Sequence, residues 1–288
     1  MGNAITWTES PAVLTGGRGY ALFGMEYSPH ETPRGGVILC PPCFEERKSS
    51  HRPFVETARA LAAGGWHVLR LDLTGCGESD GTFRDGSIGV WVCDMERAMA
   101  HSRKAVAEGP LVLLGLRLGA AISWLAACRS GGVDGLALWE PVVNGREYLE
   151  QELRKKLARD MMATGRARVS RRDLFDSLER GEEVDFDGYP IVPSLYRELL
   201  QTDILSGPAP ATRSVLVLEI GAASGPSQRA EAIQKRLAAE GRSCLLRNVY
   251  TQPFWNLVGL CDIGTVITET TSWLDRQWPQ QPLDIVKH

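Results

Sequence analysis

Short apolar runs bounded by glycine and proline recur along the chain at residues 36–40, 67–73, 111–116, 136–139, 215–220 and 244–250. Each is apolar on both parities, so a strand there buries both faces, as strands of a parallel sheet do. Between them lie helical patterns at 53–63, 90–107, 118–128, 228–239 and 265–274, long enough to serve as crossovers. Residues 12–28 read instead as two strands around Gly16-Gly17-Arg18-Gly19, a hairpin at one sheet edge. This alternation predicts an α/β protein: a doubly wound, mostly parallel sheet of eight strands with helices on both faces.

One block breaks the alternation. Residues 144–205 hold no convincing strand, and 150–180 is dense in charge. Leu149, Leu153, Leu157 and Met161 recur every four residues, as on one face of a helix. A helical insertion after a strand's carboxyl end is placed to roof the crevice in which α/β sheets bind ligands. The expected division is a core in two parts, 1–143 and 206–288, with a helical lid over 144–205. Residues 207–210 form the return linker.

Composition narrows the function classes. A net charge of −3 gives no reason to expect a nucleic-acid or anionic-membrane partner. The apolar runs are too short to span a bilayer, and residues 1–10 carry no basic-then-apolar leader, so a cytoplasmic protein is expected. Seven scattered cysteines, an odd number, argue against a disulfide framework. Cys40-Pro41-Pro42-Cys43 has C-x-x-C spacing but follows a strand, where a redox pair opens a helix, and no second ligand pair completes a zinc site. No metal and no cofactor are expected.

The chemistry concentrates at Gly115-Leu116-Arg117-Leu118-Gly119, between an apolar strand and an alanine-rich helix. That is the context of the G-x-S-x-G nucleophile elbow, whose glycines permit a tight turn that projects the central side chain. Arg117 stands where the serine belongs. Upstream, Asp72-Leu73-Thr74-Gly75-Cys76-Gly77-Glu78-Ser79 follows another strand. Its Gly-Cys-Gly lacks the third glycine and the lysine of a phosphate-cradling loop.

With these residues the chain resembles the serine-aminopeptidase-like branch of the α/β-hydrolases, and more narrowly the exosortase A system-associated hydrolases of the type called hydrolase 2. The resemblance runs over about residues 35–274. It rests on Pro41-Pro42-Cys43-Phe44-Glu45-Glu46 with Lys48-Ser49, Gly75-Cys76-Gly77-Glu78-Ser79, the elbow through Ala120, Leu138-Trp139-Glu140-Pro141, Gly188-Tyr189 and Pro253-Phe254-Trp255. It implies the α/β-hydrolase fold and a setting in exopolysaccharide and acyl-group biosynthesis.

Acyl transfer on this fold uses a nucleophile, an acid and a histidine in that chain order. Arg117 offers no lone pair. The acid position reads Gly221-Ala222-Ala223-Ser224, and the histidine position Thr251-Gln252-Pro253-Phe254-Trp255. His30, His51, His67, His101 and His288 all lie elsewhere. Ordinary serine hydrolysis is therefore not expected.

What remains is an anion-friendly nook. The Leu118 N–H and one from the Cys43–Phe44 loop point at it, and Arg117 adds a charge able to bind in bidentate fashion. Trp255, Gln252 and Ser224 are expected at its walls. Arg117 pairs either with an internal carboxylate, Glu45, Glu46 or Glu140, or with a ligand, and both stay open. Cys76, between two glycines, is a separate candidate nucleophile if a nearby arginine favours its thiolate.

Three functions follow. The first is non-hydrolytic or serine-independent chemistry on a small acyl or carboxylate compound, with proton transfer by Glu45, Glu46 or Glu140. The second is an inactive pseudo-hydrolase that binds a ligand or an acyl carrier protein. The third is a Cys76-dependent acyl hydrolase or transferase.

Overall fold

A computed structural model describes residues 5–16, 19–164, 170–221 and 225–280. Its eight-stranded sheet opens on an antiparallel hairpin, β1 (Trp7–Thr15) and β2 (Ala21–Pro29). β2 pairs antiparallel with β4 (His67–Leu71). The remaining strands are parallel: β3 (Gly36–Cys40), β5 (Leu111–Leu116), β6 (Gly135–Trp139), β9 (Ser214–Ile220) and β10 (Ser243–Val249). Their order across the sheet is β1-β2-β4-β3-β5-β6-β9-β10.

Every residue of β3, β5 and β6 is buried, and successive side chains go to opposite faces. Ile38, Leu113 and Val217 join one core with α2 (Ile88–Ala105), α3 (Leu118–Ser130) and α7 (Gln228–Ala239). Val37, Leu39, Val112 and Leu218 join the other with α1 (Phe44–Ala63) and α8 (Gly264–Gln277). From central β3 the chain moves first to β4 on one side, then to β5 on the other. Ligand crevices form at the carboxyl ends of strands around such a reversal.

Two elements differ from the sequence reading. α1 begins at Phe44, nine residues before the expected start, and carries Pro53 inside it. Proline usually opens a helix because its missing N–H is harmless there. Here Pro53, Phe54, Ala58 and Leu61 pack on the sheet, so burial holds the helix through the proline, while its polar first turns carry Glu45 and Glu46.

The block between β6 and β9 is not purely helical. It holds α4 (Gly145–Thr164), α5 (Arg171–Glu179), a hairpin of β7 (Val184–Phe186) and β8 (Tyr189–Ile191), and α6 (Pro193–Gln201). Asp187 and Gly188, at φ 55° and 90°, make the hairpin's turn, a pairing that Asp-Gly favours. A bridge between Asn144 and Asp203 closes the neck of the insertion. α4 buries Leu149 and Leu153, but Met161 is exposed, so the apolar stripe stops short of its last expected member.

Candidate functional site

The elbow joins β5 to α3. A Cβ on Gly115 would collide with Gly119 and Ala120, and one on Gly119 with the carbonyl oxygens of Cys40 and Pro41. Only glycine permits so close an approach of backbones. Arg117 takes φ 55° and ψ −118°, a conformation costing a non-glycine residue about 1–3 kcal/mol. Its N–H donates to the Trp139 carbonyl at 3.0 Å, and its own carbonyl accepts from Val142 at 3.2 Å, which locks the turn.

The side chain of Arg117 is 12% exposed and that of Glu46 only 2%. Arg117 Nε donates to Glu46 Oε1 at 3.3 Å, and Nη2 to Gln151 Oε1 at 3.2 Å. The guanidinium also lies over the rings of Tyr148 and Trp255, 5.5 and 5.7 Å from their centroids. Glu46 accepts two more bonds, from Tyr148 Oη at 3.1 Å and Lys155 Nζ at 3.0 Å. Lys155 in turn donates to Glu152 at 2.6 Å and to Asn256 at 2.9 Å. Two cations and two carboxylates thus meet under α4, a pairing that a dry site requires.

Burial pulls the Arg117 pKa down, but the surrounding groups, Glu46 foremost, outweigh it and hold the guanidinium above its ordinary value. Burial and then the charge of Glu46 push Glu152 upward, against the pull of Lys155. Burial above all, reinforced by Glu46, raises Tyr148 well above the ordinary phenol, so its hydroxyl stays a donor.

Residues 31–186 match the family model described as serine aminopeptidase, S33. The chain belongs to that family. No curated protein matches it. Among solved structures it is similar to Est1E from Butyrivibrio proteoclasticus with ferulic acid bound, at TM-score 0.68 and 17% identity, covering 93% of this chain and 100% of that one. XC6422 from Xanthomonas campestris, described as a serine hydrolase without lid, superposes at TM-score 0.58 and 18% identity over 98% and 100% of the two chains. The α/β hydrolase GrgF from a Penicillium species gives 0.60 and 18% over 95% and 100%. At such identities the likeness is one of fold.

Of the residues expected at the family's elbow site, Glu46, Arg117 and Trp255 come together. The others divide. Glu45 turns to solvent and pairs with Lys48 at 2.7 Å, so it is no partner of Arg117. Glu140, at φ 44° after β6, accepts from the Ile220 N–H at 2.9 Å; burial first raises its pKa, with Arg117 opposing. Phe44, at φ 55°, buries its ring against Phe83, Tyr148, Phe186 and Tyr189, which ties the β3–α1 turn to the insertion. Cys43 stands just before α1 without a side-chain capping bond and is buried with its thiol pushed well up by burial; Leu118 is buried at the first turn of α3. Gln252 is exposed and makes no bond to Arg117 or Glu46. Ser224 lies outside the described residues.

Cys76 is the clearest correction. Its thiol is buried and pushed up to about 12, by burial first, with Arg47 opposing too weakly. A nucleophilic cysteine needs the opposite shift. Cys76→Ala is expected to cost about 1 kcal/mol from lost burial, read by denaturant melts. Any acyl-transfer activity of the protein should stay as it was; its loss without a stability change would restore the thiol reading.

Tyr148, Gln151, Glu152 and Lys155 were not singled out in the sequence. They recur at i, i+3, i+4 and i+7 on α4, a polar stripe beside the apolar one, and that spacing was the available sign of a shared face. Among the described residues no group of three or more histidine, cysteine, aspartate or glutamate side chains stands ready to hold a metal ion. No described helix is long and apolar enough to cross a membrane.

Proposed function

We propose that this protein binds a small carboxylate or acyl compound in the cleft beside Arg117 and does not carry out serine-dependent hydrolysis. The observation behind this reading is the state of Arg117. Of its five guanidinium donors, two are engaged within the protein, by Glu46 and Gln151. The same side chain lines a cleft of about 240 Å³, open mouth included, together with Tyr148, Gln151, Glu147 and Arg229. A carboxylate there meets spare N–H donors on a charge already fixed in place, which favours bidentate binding.

Turnover by the ordinary route has no support in the residues. A guanidinium has no lone pair for acyl attack, and the histidine position carries exposed Gln252 and the Trp255 ring packed on Arg117. Glu46 is already occupied, since Arg117, Tyr148 and Lys155 all donate to its carboxylate. One observation favours retained chemistry without serine. Glu140 combines strained backbone with a pKa raised chiefly by burial, a combination suited to proton transfer.

A fluorophosphonate probe is expected to leave the protein unlabelled; stoichiometric labelling at any serine would sink the reading. Ferulate, which Est1E holds, is a suitable first ligand in a panel of short carboxylates. At least one member should raise Tm, and Arg117→Lys should recover only part of its affinity, since ammonium lacks the planar fork. If Glu140→Gln abolishes turnover of a bound compound while sparing its affinity, the serine-independent enzyme is favoured over the silent binder.

A further inference from the structure

A second cleft lies between α1 and β4 and takes no part in the elbow network. Arg47, Ser50, His51 and Phe54 share one face of α1 at i, i+3, i+4 and i+7. Opposite them, Arg70 and Asp72 alternate with Leu71 and project to the same side of the sheet.

Charge in this cleft does not balance. Asp72 is fully engaged: Oδ1 accepts from Arg47 Nη2 at 2.7 Å and Oδ2 from the Glu78 N–H at 3.1 Å. Arg70 has no carboxylate partner among the described residues, and its Nε is buried without an acceptor, as is that of Arg47. The Nε groups of Arg34, Arg236 and Arg242 are buried without an acceptor too, so what sets this cleft apart is its unbalanced charge. His51 sits exposed at the mouth. Loss of solvation first, then Arg70 and Arg47, hold its pKa below the ordinary value, with Asp72 opposing. The two arginines and Asp72 leave one positive charge, and protonation of His51 makes it two.

We propose that this cleft binds a small dianionic oxyanion, the phosphate group of free phosphate or of a phosphomonoester, clamped by Arg70 and Arg47 with His51 at the mouth. Guanidinium forks match such oxygens in bidentate geometry. A dianion matches the two positive charges that the cleft carries once His51 is protonated. The proposal is independent of any reading of Arg117.

The test is calorimetric titration of the full chain with inorganic phosphate at low salt, with chloride at matched ionic strength as control. Phosphate should bind at one site per chain, and Arg70→Gln should weaken it by about tenfold or more. The Tm of the free protein should not fall in that variant, because Arg70 has no bond to lose. His51→Ala, at an exposed position, should weaken binding severalfold. Glycerol phosphate binding more tightly than phosphate identifies a phosphomonoester as the ligand, and equal affinity identifies the free ion. Phosphate affinity unchanged in Arg70→Gln, or no stronger than that for chloride, overturns the site. If that variant does not fold, the His51 imidazole resonance of the unaltered protein decides: saturating phosphate must raise its pKa, and no rise overturns the proposal.

Discussion

Glu46→Gln is expected to lower Tm by roughly 6–15 °C, the equivalent of about 3–5 kcal/mol. The amide keeps the size of the carboxylate and removes its charge. Arg117 then retains Gln151 and two aromatic faces but no directly bonded carboxylate, in a site that leaves its side chain only 12% exposed. Lys155 still has Glu152, so the loss falls on the guanidinium. A partial return comes from Glu152, whose pKa Glu46 raises. Thermal melts of Glu46→Gln, Arg117→Met and the double variant form a cycle that reads the coupling. Additive effects of the two changes would show that the 3.3 Å contact contributes nothing.

Arg117→Ser rebuilds the G-x-S-x-G pattern, and it is expected to produce no esterase. Activity on an activated ester should stay about a thousandfold or more below that of an ordinary serine esterase, because residues 251–256 beside Arg117 hold no histidine to serve as base. The variant should also lose about 2–3 kcal/mol of stability, less than Glu46→Gln. Glu46 keeps Tyr148 and Lys155, while the strained turn is common to both side chains. Hydrolysis at a rate typical of serine esterases would mean that a base reaches the elbow from residues given no role here. An unchanged Tm would mean that Arg117 is held for a ligand alone and that its bond to Glu46 is incidental.

The choice among the acids near Arg117 shows where sequence reading ran out. Glu45 and Glu46 are neighbours, so on a helix they point about 100° apart. One meets Lys48 in solvent and the other meets Arg117 under α4. Choosing between them requires the phase of α1, and Pro53 concealed its true start by nine residues. The same holds for α4. Its polar stripe was legible as a face, but the spacing of Tyr148, Gln151, Glu152 and Lys155 says nothing of what that face covers. The Asp187-Gly188 turn was in plain view, yet three-residue strands are too short to show a period.

By itself the sequence determined the doubly wound sheet, its edge hairpin and the elbow with Arg117 at the apex. Those features are written locally, in runs apolar on both parities and in glycines where no side chain fits. Only the tertiary structure decided that Glu46 pairs with Arg117, that Trp255 and Tyr148 lie against it, that the Cys76 thiol is buried, and that Arg70 lines a cleft with no carboxylate among the described residues bonded to it. The reason is that ion pairing and burial depend on which distant segments share a dry space. α1, α4 and the 254–256 turn, up to 210 positions apart in the chain, meet at one point through packing that no local pattern encodes.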